Sequence, residues 1–288
     1  MLTLAATGQP ACGQSGPRPS PVAAVAVSPT LPRPTPAGST PAPPARASLP
    51  LHLLATPAPP PAAGHHPAAS PYPARGHGYD ASYPQCASRH RPTGPRFSVL
   101  GVNHGRAFTA NTCLARQWRL SGPLRGLYLN SGYNPGNVDR VPADCRLLSR
   151  QLRAPVEYRD AYAIGCAETT SALGIAEAAG TTRPAAWWID VETANSWDER
   201  DLNRNRFALQ GEIDQLAGRG DVVGLYSTFE DWQAIAGDWS PAGVAADWVA
   251  GQPPATSCAQ AGFSHHPVWL AQEAATWPDS GYDSDWAC

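Results

Sequence analysis

The sequence predicts an α/β protein, an irregular barrel of eight strands behind a disordered Pro/Ala-rich tail, and three observations predict it. Short apolar runs alternate with longer helical stretches, the order that builds a parallel sheet. The last three strand candidates follow one another without helices, which favours an irregular closed barrel. Polar side chains fall at or near the candidate strand ends, where parallel barrels gather their chemistry.

The tail comes first. Residues 1–78 hold 19 of the 32 prolines, four arginines, and no Asp, Glu or Trp. They carry too few large apolar side chains to bury a core, and the proline density favours extended polyproline II. Residues 1–77 are therefore read as a leader or linker and residues 78–288 as one domain.

The elements of that domain follow in order. Gly78–Tyr83 and Phe97–Asn103 are the first two strands, and Thr112–Leu120 is a helix with Asn111 as its cap. Gly126–Asn130 is the third strand, followed by helical stretches over Val141–Arg153 and Asp160–Ala179. Ala186–Glu192 is the fourth strand. Asp201–Arg219 is an amphipathic helix whose apolar positions include Leu202, Leu209, Ile213 and Leu216. Val222–Ser227 is the fifth strand and Glu230–Ala236 a short helix. Asp247–Ala250, Val268–Gln272 and Gly281–Asp285 complete the eight.

Charge and cysteine content bound the function. After residue 78 the chain carries 17 arginines against 23 carboxylates, a net −6. An acidic body of this kind does not bind nucleic acid, which needs a clustered basic face. No run approaches the length of a transmembrane segment. Of the seven cysteines, Cys12 lies in the tail, and Cys86, Cys113, Cys145, Cys166, Cys258 and Cys288 are scattered through the body. No pair has metal-clip or redox spacing, and an even, dispersed set reads as three disulfides formed in an oxidising compartment. Fifteen pairings are possible. Neighbour pairing, 86–113, 145–166 and 258–288, closes local loops and is the expectation; buried free thiols are the other reading. No secretion signal is recognisable at the N-terminus, so a secreted or envelope-associated location is inferred from the cysteines.

Asp190-Val191-Glu192 is the sharpest chemical signal. Residues two apart on a strand share a face, so Trp188, Asp190 and Glu192 point into the barrel while Trp187, Ile189 and Val191 meet the outer helices. Two inward carboxylates with α-carbons ~6.6 Å apart are costly to bury. Repulsion and poor solvation raise the pKa of one, which suits a general acid near neutral pH. Glycoside hydrolysis needs such a pair, one acid for the leaving oxygen and one anion for the positive transition state. The competing reading makes the pair a cap for the loop Thr193–Trp197. Asp80 and Asp283, from strands one and eight, bring the inward carboxylates at this mouth to four. Asn103, Asn130, Trp197, Tyr226 and Gln272 are candidate substrate contacts, with Trp197 the platform for a sugar ring. Trp269 and Trp286 are placed near the same mouth. His265-His266 has no ligand at metal spacing; neither a metal nor a cofactor is called for.

Several segments carry a family resemblance: Gly78-Tyr79-Asp80-Ala81-Ser82, Gly101-Val102-Asn103, Gly105–Thr109, Trp188–Glu192, Asn195-Ser196-Trp197, Tyr226-Ser227-Thr228 and Gly281–Trp286. Together they resemble the family-25 glycoside hydrolases, muramidases with a TIM-like (β/α)5(β)3 barrel. They are closer still to the glycoside-hydrolase-like domain of secreted actinobacterial proteins, a domain of unknown function. The resemblance implies Glu192 as general acid and Asp190 as the anion supporting an oxazolinium- or oxocarbenium-like centre. It implies that Asp80 and Asp283 orient water, substrate and the other carboxylates. The lysozymes usually carry a Lys/Glu-containing segment after strand two, whereas this chain has Val102–Arg106. The expected protein is a secreted monomer that hydrolyses a cell-wall polysaccharide, with peptidoglycan the expected substrate. The alternative is a non-catalytic glycan-binding or envelope protein on the same barrel.

Overall fold

The computed structural model describes residues 69–88, 92–276 and 281–288. The Pro/Ala-rich leader up to residue 68, and Cys12 within it, lie outside the described residues. Eight strands close a barrel in chain order: β1 (His77–Ala81), β2 (Phe97–Gly101), β3 (Arg125–Asn130), β4 (Trp187–Asp190), β5 (Val223–Ser227), β6 (Ala246–Val249), β7 (Val268–Thr276) and β8 (Asp283–Ala287). The helices are α1 (Leu114–Leu120), α2 (Ala143–Arg150), α3 (Val156–Ala178), α4 (Leu202–Ala217) and α5 (Phe229–Ile235), with a single turn, α6 (Pro254–Ser257), after β6. The expected irregular α/β barrel is present.

Strand periodicity splits the apolar residues between two cores. Leu127, Leu129, Trp187, Ile189, Val191 and Leu225 face outward and pack with Leu209, Ile213 and Leu216 of α4, among other helical residues. Phe97, Val99, Trp188, Trp248 and Leu270 fill the barrel with Tyr72, whose hydroxyl accepts from Trp188 Nε1 at 3.0 Å. Gly224 on β5 makes room for this filling, since a Cβ there would lie 2.3 Å from the Trp188 ring. Neighbour pairing of the cysteines also holds: Cys86–Cys113, Cys145–Cys166 and Cys258–Cys288 are disulfides.

The structure corrects several local expectations. β8 pairs antiparallel with both β1 and β7, not parallel. Asp283 therefore starts its strand rather than approaching its end, and it still reaches the mouth because the strand is reversed. The same reversal carries Trp286 to the opposite end of the barrel, where it is opposite His77, the first residue of β1. Trp269 lies near that end too, as the second residue of the parallel β7. β4 stops at Asp190, so Glu192 lies two residues beyond the strand, in a turn closed by Asn195 N–H to Glu192 C=O. Asn111 does not cap α1. Its side chain accepts from Cys113 N–H ahead of the helix and donates to Gly101 C=O and Gln117 Oε1. The two helical stretches after β3 each start directly after a proline, α2 after Pro142 and α3 after Pro155, so the second begins at Val156 rather than Asp160.

Candidate active site

The upper barrel end is lined by inward positions from nearly every strand. β1 contributes Asp80, β3 Asn130, β4 Asp190, β5 Tyr226, β7 Gln272 and β8 Asp283 and Asp285. Glu192 joins them from the turn after β4. Asp80, Asp190, Asn130 and Asp285 are buried, whereas Glu192, Tyr226, Gln272 and Asp283 are partly open.

Two hydrogen-bond chains fix these side chains. On one side, Asn130 Nδ2 donates to Asp190 Oδ2. Asn130 is itself held by Asn103, which accepts from its backbone N–H at 2.9 Å and donates to its C=O at 3.0 Å. Both ends of the Asn103 amide are thereby occupied, and the residue is only 2% exposed. On the other side, Tyr226 Oη donates to Gln272 Oε1 at 2.8 Å and Gln272 Nε2 donates to Asp80 Oδ2 at 2.9 Å. Trp248 Nε1 donates to Asp285 Oδ1 at 2.9 Å below them.

Negative charge is poorly accommodated here. Burial, reinforced by Asp283 and Glu192, lifts the Asp80 carboxyl to about 7 against the N–H bond from Gln272. Burial, then Glu192, Asp80 and Asp231, push Asp190 well above the ordinary range. Glu192 is raised by burial, then by Asp231 and Asp283, and Asp283 by burial alone. The Tyr226 phenol is also driven upward, by burial first, and remains an O–H donor. Such a cluster holds protons near neutral pH and titrates as a unit. It can give a proton to a leaving oxygen and offer negative charge to a cation that forms beside it. Among the described residues no group of three or more His, Cys, Asp or Glu is arranged to hold a metal ion.

Trp197 stands on the rim. Its indole N–H donates to Glu192 C=O at 2.8 Å, tying the ring to the turn that carries Glu192. The ring borders a recess of about 280 Å³ with Tyr133, Pro135, Asp198, Glu199 and Arg200.

The structure also shows acids that the sequence reading passed over. Asp285 is fully buried, and its signal was its spacing, two residues beyond Asp283 on the same strand face. Asp231 lies in the first turn of α5, which Thr228 caps; its carboxylate accepts from Thr193 and Thr228 and adds negative charge near Glu192. Glu168 on α3 and Glu212 on α4 form a buried carboxyl pair outside the barrel. Ser131 Oγ donates to Glu212 Oε1 at 3.0 Å, and Asn137 Nδ2 to Glu168 Oε1 at 3.4 Å. Burial lifts Glu168 to about 8 and Glu212 well above its ordinary value.

This geometry can be set beside solved structures. A muramidase from Trichobolus zukalii superposes with a TM-score of 0.50 at 15% identity, covering 74% of this chain and 93% of its own. The chain has a muramidase-like fold. The Clostridium perfringens spore cortex lytic enzyme SleM matches with a TM-score of 0.47 at 13% identity, over 74% of this chain and 67% of its own. A family GH25 lysozyme from Aspergillus fumigatus matches at 0.44 and 13%, over 74% and 93%. No protein-family model and no curated protein sequence matches the chain. In the muramidase-like barrel Asp80, Asp190, Glu192 and Asp283 occupy the end where the parallel strands finish, the end at which such barrels carry their chemistry.

Proposed function

We propose that this chain is a secreted glycoside hydrolase that cleaves a cell-wall glycan, with peptidoglycan the first substrate to test. The observation that carries the reading is the gathering of Asp80, Asp190, Glu192 and Asp283 at one barrel mouth, each with its pKa raised. The muramidase-like fold and the name of the Trichobolus zukalii neighbour point to the same substrate class. Three disulfides fit an oxidising compartment. In this reading residues 78–288 are the working domain, acting as a monomer, and residues 1–77 a spacer.

Glu192 is the general acid. It is the partly open member of the β4 pair, and its raised pKa leaves it a proton to deliver to the glycosidic oxygen. Asp190 faces the positive charge that develops on the sugar, and the Asn130 N–H donor supports its anionic form. Before that charge forms, burial and its neighbours favour the protonated acid; a cation beside it reverses the preference. Asp80, aimed by Gln272, and Asp283 orient the attacking group and the substrate. Trp197 and Tyr226 supply aromatic faces at the rim.

The test is to incubate the full, oxidatively folded chain with peptidoglycan and identify new reducing ends by mass spectrometry, beside Glu192→Gln. Wild type is expected to give product and Glu192→Gln to cut the rate by about 10²–10⁴-fold, the usual worth of a general acid. Equal product from both overturns the assignment of Glu192. Bound glycan without product from either overturns hydrolysis and favours a binding module.

A further inference from the structure

Asp285 is the deepest acid at the mouth, and none of the roles above uses it. Strand register sets Asp80 opposite Asp283 and Gly78 opposite Asp285. Gly78 has no side chain, so the Asp80 carboxyl, on the diagonal, is the group that Asp285 meets on β1. The two carboxyls are in hydrogen-bonding contact. Trp248 Nε1 occupies Asp285 Oδ1, while the buried Oδ2 receives no donor among the described residues. Two carboxylate oxygens are both acceptors, so this contact requires a proton on one of them.

Depth decides which acid holds it. Asp285 is 0% exposed and Asp80 5%. The charged groups acting on Asp285 are Asp80 on β1 and Asp283 on β8, both acids. The phenols of Tyr226 on β5 and of Tyr72 in the barrel filling also face it, and both are pushed above their ordinary range and stay neutral. No cation offsets a charge on Asp285 from any of these elements. Asp80 has an N–H donor of its own in Gln272.

We propose that Asp285 is a protonated positioning residue that donates its carboxyl hydrogen to Asp80 and so holds Asp80 as the anion. The effect on turnover rests on the glycosidase reading; the proton itself does not. Asp80 lies among Asp283 and Glu192, both of which oppose its ionisation. The donors from Gln272 and Asp285 are the forces that favour it. A carboxylic acid kept neutral by burial so that it can donate is an established device in active sites.

The test uses the full oxidised chain with its aspartate carboxyl carbons labelled with ¹³C, titrated by NMR between about pH 4 and about pH 8, a range that brackets ordinary carboxyl titration. A resonance that disappears in Asp285→Asn is expected to keep its protonated shift throughout that range in wild type. The Asp80 midpoint is expected to hold in Asp285→Asn, whose amide N–H donates in place of the acid. In Asp285→Ala it is expected to rise by about one unit or more, the direction set by losing a donor to the anion. The acid-side limb of any hydrolysis profile should move with it. Conversion of the Asp285 resonance to carboxylate below about pH 6 overturns the proposal. So does an equal shift of Asp80 in the Asn and Ala variants. Wild type and Asp285→Asn suffice should the Ala variant not fold. A chain that cleaves no glycan defeats the functional reading and leaves the titration to decide this one.

Discussion

Trp188 fills the centre of the barrel because the residue facing it on β5 has no side chain. A Cβ at Gly224 would stand 2.3 Å from the indole, inside van der Waals contact, and the ring is fully buried. Gly224→Ala should therefore destabilise by about 1–3 kcal/mol, the usual cost of overpacking, measured by urea unfolding of the oxidised chain. The same substitution at the half-buried Gly122, where an added Cβ meets nothing within 4 Å, should be near neutral. At this scale the sequence was readable wherever a two-residue period applied. Trp188 and Asp190 do face inward, and Trp187 and Ile189 outward, as alternation requires. Asp285 obeys the same period, two residues beyond Asp283 on β8, but an Asp close behind Gly281 also reads as a turn residue. At Asn103 the pattern shows a polar residue at a strand end, and it cannot show that the side-chain amide bridges the backbone N–H and C=O of Asn130.

At the scale of the element, α3 and α4 cross closely enough that glycine is required: a Cβ on Gly165 would lie 1.9 Å from the Ala208 carbonyl oxygen. That approach forces Glu168 and Glu212 together out of water. Folded Glu168 binds its proton up to about pH 8, against 4.5 for the free side chain. The folded state thus holds a proton that the unfolded chain releases. Stability is full below the unfolded value and is lost as pH rises through the folded one. The thermal midpoint should fall between about pH 5 and about pH 9. Glu212→Gln should flatten that dependence by removing one of the two acids, and an unchanged slope in the variant would exclude the pair as its source. The sequence showed both helices but not this pairing, since nothing in a local pattern tells which residues of two helices will face each other. Pro142 and Pro155 mark the starts of α2 and α3, a signal that an expected start at Asp160 does not use; the start of α1 is hidden because Asn111 bonds to the Gly101 carbonyl and the Gln117 side chain around it.

The whole molecule depends on a strand that runs against the others. The six residues between β7 and β8 are too few for a parallel crossover, which needs about a dozen or more, so the antiparallel return was implicit in the spacing. That reversal puts Asp283 and Asp285 at the mouth and sends the chain end to the far side, where Cys288 N–H bonds Trp269 C=O and its sulfur bonds Cys258. The disulfide joins residues 30 apart. On the chain-entropy account a loop of that size contributes about 3–4 kcal/mol. For a domain of this size that is about 6–16 °C in thermal midpoint. Replacing Cys258 and Cys288 by Ser together should lower the midpoint by that order. β8 holds the barrel closed through its ladders to β1 and β7, and it carries two of the acids at the mouth. Loosening its far end should therefore impair the site before the helices melt. Glycan hydrolysis, followed with rising temperature beside far-ultraviolet circular dichroism, should fail below the helical transition in the double variant and together with it in wild type. Coincident loss of both signals in the double variant would mean that β8 and the helical layer unfold as one unit, with the Cys258–Cys288 bond setting only how stable that unit is.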